Sequence, residues 1–289
     1  TARLWNLQGQ LLQEFQGHQG LGLQLLQEFK GHQDLVLSVS FSPDAVVEAT
    51  ASGDTASGDN TARLWNLQGQ LLQEFKGHQD LVLSVSFSPD GKTIATASGD
   101  TASGDNTARL WNLQGQLLQE FKGHQGRVNS VSFSPDGKTI ATASGDTASG
   151  DNTARLWNLQ GQLLQEFKGH QGRVNSVSFS PDGKTIATAS GDTASGDNTA
   201  RLWNLQGQLL QEFKGHQGRV NSVSFSPDGK TIATASGDTA SGDNTARLWP
   251  VGNVDLLLVN SCNWVRDYLT YNPNAKSDSH LCDGIGTKK

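Results

Sequence analysis

An all-β fold made of repeated four-stranded units is what this chain predicts, on two observations. The first is self-similarity. Residues 107–152, 153–198 and 199–244 are one 46-residue string repeated, and 61–106 departs from it only at Asp80, Leu81 and Leu83. A repeat of this length marks units that cannot bury their apolar faces alone and must stack on their neighbours. The second is that each unit breaks into four short strand-like stretches separated by turn chemistry.

In the unit 107–152 the stretches can be taken in order. RVNSVSFS, with Val128, Val131 and Phe133, is rich in β-branched and small residues. Pro135-Asp136-Gly137 follows as a hairpin signal, because proline presets one turn dihedral and glycine supplies a positive φ. TIATAS and TARLWN are the second and third strands, and Asn112-Leu-Gln-Gly115 turns the chain into QLLQEF. That last stretch has the length of one helical turn, but its place between strand-and-turn segments makes it a strand. Gly123-His124 leads into the next unit. Four strands per forty-odd residues is the pattern of a β-propeller blade.

Gly-His, then Val-x-x-Val-x-Phe-Ser-Pro-Asp-Gly, then Asp-x-Thr-x-x-x-Trp resembles the WD-repeat β-propeller family, of the cyanobacterial type with near-identical tandem blades. The resemblance covers roughly residues 25–249. The Asp that usually follows the Trp is replaced by Asn66, Asn112, Asn158 and Asn204, and by Pro250 in the last unit. Complete inner strand sets run His32–Trp65, His78–Trp111, His124–Trp157, His170–Trp203 and His216–Trp249, which makes five blades. The last lacks its own outer strand. The family resemblance implies that the orphan segment Gln24–Phe29 completes it and closes the ring, which would remove two exposed sheet edges. Five blades either close alone or form part of a larger ring, through upstream blades or self-association between interchangeable blades.

Three segments are therefore expected: a truncated repeat at 1–23, the propeller at 24–249 and a helical extension at 250–289. Thr1–Phe15 reads as the last two strands of a blade. In the first full unit Ala45, Val46 and Glu48 stand where Gly91, Lys92 and Ile94 stand in the next, and a Glu at a core strand position is costly. Past Pro250, Val254, Leu257, Leu258, Cys262, Val265 and Leu269 fall at helical spacing, with Asn253 as N-cap and Asn272-Pro273 as the stop. A short helix or turn over SDSHLCDGI follows, and the tail resembles those of cyanobacterial WD-repeat proteins. Its expected job is to cover the propeller rim or its last blade.

The 289 residues carry a net charge of −6, which argues against nucleic-acid or anionic-membrane binding driven by bulk charge. Each identical unit is neutral by count. No run of 18 apolar residues occurs. The chain holds no methionine and begins inside a repeat, so it is expected to be part of a longer protein. Cys262 and Cys282 are too few to staple a propeller, so a cytoplasmic location is expected. With His280 and Asp283 they fall short of a metal site, and packing is the preferred role.

Every unit repeats a His, a Thr, an Asp and a Trp. The sets are His32, Thr50, Asp59 and Trp65; His78, Thr96, Asp105 and Trp111; His124, Thr142, Asp151 and Trp157; His170, Thr188, Asp197 and Trp203; and His216, Thr234, Asp243 and Trp249. A hydroxyl, a His and an Asp together suggest a catalytic relay. The family resemblance implies instead a structural hydrogen-bond tetrad, and a catalytic site needs different residues converging in one place. No catalytic residue, cofactor or metal is assigned.

The loop SGDTASGDN doubles TASGD, so Asp100 and Asp105 compete for the tetrad, and register to Trp111 favours Asp105. Asp100, Thr101 and Ser103 then project into an enlarged loop. Its oxygens would suit a calcium ion, but the spacing matches no known loop and a solvated loop is expected.

By the same resemblance, the loops before the first strand and after the second lie on one face of the disc. That face carries Arg127, Arg173 and Arg219 with Asn129, Asn175 and Asn221 on three blades, against Leu35, Leu37, Leu81 and Leu83 beside Asp34 and Asp80 on two. An apolar patch rimmed by polar residues marks an interaction site. The reading is a non-catalytic scaffold or sensor that binds protein or peptide partners there, as part of a bacterial signalling protein. The alternative is a carbohydrate-binding propeller. A glycosidase would need distinct paired carboxylates, which the units do not offer.

Overall fold

Alternation along TIATAS explains how one strand can serve two neighbours. In the computed structural model Ile94 packs toward the preceding unit while Ala95 and Ala97 pack toward the following one, so the strand is buried on both faces. The structure describes residues 2–5, 11–15, 30–32, 35–52, 60–99, 104–146, 149–192, 194–237 and 243–252. Among them the chain forms strands and no helix. The expected closing strand Gln24–Phe29 and the helical tail after Asn253 lie outside the described residues.

Two strands, β1 (Ala2–Trp5) and β2 (Leu11–Phe15), pair antiparallel as a separate hairpin. The first full blade is β3 (Val36–Phe41), β4 (Val47–Ser52), β5 (Thr61–Asn66) and β6 (Leu71–Phe75). The second is β7 (Val82–Phe87), β8 (Thr93–Ser98), β9 (Ala108–Asn112) and β10 (Leu117–Phe121). The third is β11 (Val128–Phe133), β12 (Thr139–Ser144), β13 (Ala154–Asn158) and β14 (Leu163–Phe167). The fourth is β15 (Val174–Phe179), β16 (Thr185–Ser190), β17 (Ala200–Asn204) and β18 (Leu209–Phe213). The fifth has three strands, β19 (Val220–Phe225), β20 (Thr231–Ser236) and β21 (Ala246–Pro250). Each sheet is antiparallel and runs in chain order.

The hairpin after the first strand is held by its own side chains. Ser134 Oγ donates to Asp136 Oδ1 at 2.7 Å, while Thr139 N–H and Lys138 N–H donate to Ser134 Oγ and Asp136 Oδ1. Gly137 takes φ of 68°, which glycine adopts freely. In the first blade Ala45 occupies that position at φ 54°, the one non-glycine residue in this region among those described.

Blades pack face to face along the chain, β3 and β4 against β7, then each inner pair against the next. Every boundary has the same make-up. The trailing face of one blade offers Ala49, Ala51, Ala62, Leu64 and Phe75, and the leading face of the next offers Val82, Val85, Phe87, Ile94 and Trp111. Phe75 meets the Trp111 ring edge-on with centroids 6.0 Å apart. The two end faces of the stack stay open among the described residues. Val36, Val39 and Phe41 are 53, 57 and 60% exposed, whereas their counterparts Val82, Val85 and Phe87 are buried. Ala233, Ala235, Ala246 and Leu248 of the fifth blade are likewise exposed.

Candidate functional site

The repeated polar sets come together inside the blades. In the third blade Trp157 Nε1–H donates to Thr142 Oγ1 at 2.9 Å, and Thr142 lies 2.7 Å from His124 Nε2. His124 Nδ1 lies 3.0 Å from Asp151 Oδ2. The indole can only donate, so the hydroxyl proton points to Nε2 and the imidazole carries its own proton on Nδ1, facing the carboxylate. The same chain of contacts links His78, Thr96, Asp105 and Trp111, and His216, Thr234, Asp243 and Trp249. In the fourth blade His170, Thr188, Asp197 and Trp203 repeat it. In the first, His32 and Trp65 both reach Thr50, and Asp59 lies outside the described residues.

Gly-His has a steric basis. Gly123 holds φ of 135°, and a Cβ there would lie 2.9 Å from Arg155 Nη1. Arg155 in turn forks onto Glu166 Oε1 through Nε at 3.0 Å and Nη2 at 2.8 Å, so the guanidinium cannot easily withdraw.

Burial sets the charge state. It pushes the His124 imidazole below its ordinary value of 6.5, outweighing the Asp151 carboxylate, and the ring is neutral. For Asp151 burial acts upward, but hydrogen bonds from His124, Thr153 and the Gln125 amide hold it well below the usual carboxylate range. The arrangement has the connectivity of a hydroxyl–imidazole–carboxylate relay. Thr142 is fully buried, however, and its hydroxyl already accepts from an indole. No substrate atom can reach that oxygen, so the set serves the fold.

The enlarged loop is solvated at its tip, where Ser149, Gly150, Ala194, Ser195 and Gly196 are exposed, but its first acid turns inward. Asp146 and Asp192 are buried. Asp192 Oδ1 accepts the amides of Ala194 and Ser195 at 2.8 and 2.6 Å, and Oδ2 accepts from Arg173 N at 3.4 Å. Doubling TASGD supplies a second acid that caps the loop's own amides. Asp100, Thr101 and Ser103 lie outside the described residues. In the second blade Asp80, also buried, accepts the amide of Asp105 at 3.0 Å, so it supports the loop from below and is not a surface charge. The pairing of Asp80 with a loop amide was not apparent in the sequence, where the substitution of Gly by Asp offers no spacing rule.

Of the leucines expected on the loop face, Leu35 and Leu37 are exposed and Leu81 and Leu83 half-buried, with Leu37 and Leu83 lying within β3 and β7. Arg127, Arg173 and Arg219 form a row. The Arg173 guanidinium is shifted down by burial first and then by Arg127 and Arg219, which outweigh Asp192 and Asp146. The Nε atoms of Arg127 and Arg173 are buried with no hydrogen-bond partner. Asn129 and Asn175 are spent on the fold: Asn129 Nδ2 donates to Gly145 O within its blade and to Val174 O of the next, both at 3.0 Å. Asn175 does the same to Gly191 O and Val220 O. Asn221 is exposed and donates to Gly237 O at 2.7 Å.

The family model described as WD domain, G-beta repeat matches residues 23–66, 69–112, 115–158, 161–204 and 207–250. The chain belongs to the WD40 repeat family. No curated protein matches it. WD40 propellers are in general non-catalytic modules that mediate protein–protein contacts, and the buried tetrads of this WD40 chain fit that use. Trp111, Trp157, Trp203 and Trp249, with Phe75, Phe121, Phe167 and Phe213 of the outer strands, pack between blades.

Proposed function

We propose that this chain is a non-catalytic scaffold or sensor module of a larger cytoplasmic bacterial signalling protein, and that it captures protein or peptide partners on its loop face. The observation that carries the reading is the row Arg127, Arg173 and Arg219. Burial, and then the neighbouring Arg127 and Arg219, disfavour the charged form of the Arg173 guanidinium, and Arg127 and Arg173 each bury an Nε that finds no acceptor, an arrangement that favours an anionic ligand. The nearby carboxylate of Asp192 does not fill the role, because it is committed to three backbone amides. The exposed Leu35 and Leu37 add an apolar anchor. The partner is thus an acidic segment carrying one or two apolar side chains. The tail beyond Pro250, which resembles that of cyanobacterial WD-repeat proteins, supports a place in a longer signalling chain.

A fluorescent library of peptides rich in Asp and Glu, each with a central Leu or Phe, tests this by anisotropy. Selected peptides should lose about tenfold in affinity on Arg173→Gln, equivalent to ~1.4 kcal/mol, and weaken with added salt. They should also lose affinity on Leu35→Ser. An absence of binding, or binding untouched by Arg173→Gln, would remove the basis of the proposal.

A further inference from the structure

Among the described residues, the open end faces of the stack carry, Glu48 apart, the same residues as the two sides of the boundary that the chain builds four times. Each internal boundary sets the first strand of one blade against the first two strands of the blade before it, with Val85 beside Ala49 and Ala51 in the same cluster. At the leading end the strand β3 lacks that cover among the described residues. Val36, Val39 and Phe41 are more than half exposed, though the same positions in β7 are at most 7% exposed. Trp65 and Glu48, farther out on the same face, are already buried. At the trailing end Ala233 and Ala235 on β20 are exposed, though Ala187 and Ala189 are fully buried.

Polar groups on the trailing face match as well. Inside the stack, Val177 N–H donates to Ser130 Oγ of the preceding blade, and Val223 N–H to Ser176 Oγ. The next member of that series is Ser222, exposed on β19. Asn129 and Asn175 each bridge to the first-strand Val carbonyl of the following blade. Asn221, at the same position, makes the bond within its own blade, and among the described residues no blade follows it to be bridged.

We propose that a second copy of this chain seats its β3 on β19 and β20 of the first, head to tail, reproducing the internal boundary. Ser222 Oγ then accepts from Val39 N–H of the incoming copy, and Asn221 Nδ2 donates to its Val36 carbonyl. Val39 and Phe41 cover Ala233 and Ala235. The contact is heterologous, so each bound copy still offers one free face of each kind, and assembly continues until the ring closes or a filament forms. Identical blades make the fit a repetition of packing that the chain already achieves. The spacing of the sequence agrees: LLQEF ends seven residues before Val36, as it ends seven residues before Val82.

Light scattering across a concentration series tests the assembly. Wild type should show masses at multiples of 30.8 kDa that grow with concentration. Val39→Lys spoils only the head and Ala235→Lys only the tail. Both positions are exposed in the single chain, so each variant should fold and run at 30.8 kDa, with self-association weakened at least tenfold. Mixed in equal amounts, the two still share one intact head and one intact tail, and should give a species of twice that mass and nothing larger. Phe41→Ser with Asn221→Ala is a milder pair for the same mixing test. Wild type that stays at 30.8 kDa overturns the proposal, and hydrogen exchange showing β3 protected in that monomer would mean that the chain covers its own face. Variants that assemble like wild type, or a mixture that stays monomeric, overturn it equally.

Discussion

Replacing Glu48 by Ile should stabilise the first blade. Glu48 occupies the β4 position that Ile94, Ile140, Ile186 and Ile232 hold in the other blades, where each is fully buried. It lies between Phe41 and Trp65 in the strand register and is itself buried. No cation or donor reaches it among the described residues, and burial alone pushes its carboxyl above the ordinary value of 4.5. A buried Ile side chain is worth about 2 kcal/mol relative to an exposed one. Relief of the desolvated carboxylate adds to that, so ~2 kcal/mol is a floor at neutral pH. The gain should stay local, because repeats couple mainly to their neighbours. Hydrogen exchange of the β4 amides reads it directly, as slowing of at least about 30-fold in Glu48→Ile. The pH dependence gives a second signature. A carboxyl whose folded value is raised contributes its stability below the unfolded value, and that contribution is lost as pH climbs through the folded one. Wild-type β4 should therefore gain protection as pH falls from 7 toward 5, after correction for intrinsic exchange, and Glu48→Ile should not. Equal or faster exchange in the variant at pH 7 would refute the reasoning, and would mean that Glu48 serves a contact an isoleucine cannot replace.

Other substitutions follow from the same comparison of blades. Ala45→Gly relaxes the lone non-glycine residue at positive φ among those described and should slow exchange of the β3–β4 hairpin by an amount matching ~1 kcal/mol; unchanged exchange would argue that Ala45 carries no strain. Leu83→Asn restores the bridge that Asn129 makes to Gly145 and Val174, and a higher urea midpoint worth about 1 kcal/mol is expected. Thr142→Val orphans the Trp157 indole and the His124 ring together; a loss of about 2–4 kcal/mol is expected in urea unfolding, and a near-neutral result would count against the tetrad as a stabilising device. Acid should unfold the propeller early. Histidines held below 6.5 keep their contribution above that value and lose it as pH falls. The tetrad aspartates, also held low, add to the loss at lower pH. Urea midpoints at pH 7.5, 6.5 and 5.5 should decline in that order, and a midpoint that rises on acidification would contradict the neutral-histidine assignment.

Legible in the sequence is whatever the repeat states locally. Strand identity follows from a period of two in TIATAS and from glycine and proline at fixed offsets, because these act within a few residues. Contacts across blades were less legible. Asn129 looks like a surface amide beside Arg127, yet its two donors stitch one blade to the next. Nothing in a single unit shows that, since the second acceptor, Val174, lies 45 positions away. The inward turn of the first acid in the enlarged loop was hidden for a related reason. Glycine, serine and aspartate in SGDTASGDN read as solvated chain, but an aspartate followed by free amides can turn inward and satisfy them, and Asp192 does so. The departures in the first blade, by contrast, could be located from the alignment of repeats alone: Ala45 and Glu48 each break a rule that four other blades obey. Their cost is tolerable in a stack of units because each defect is confined to one hairpin and one strand, while the boundaries that hold the blades together remain those of the intact repeat.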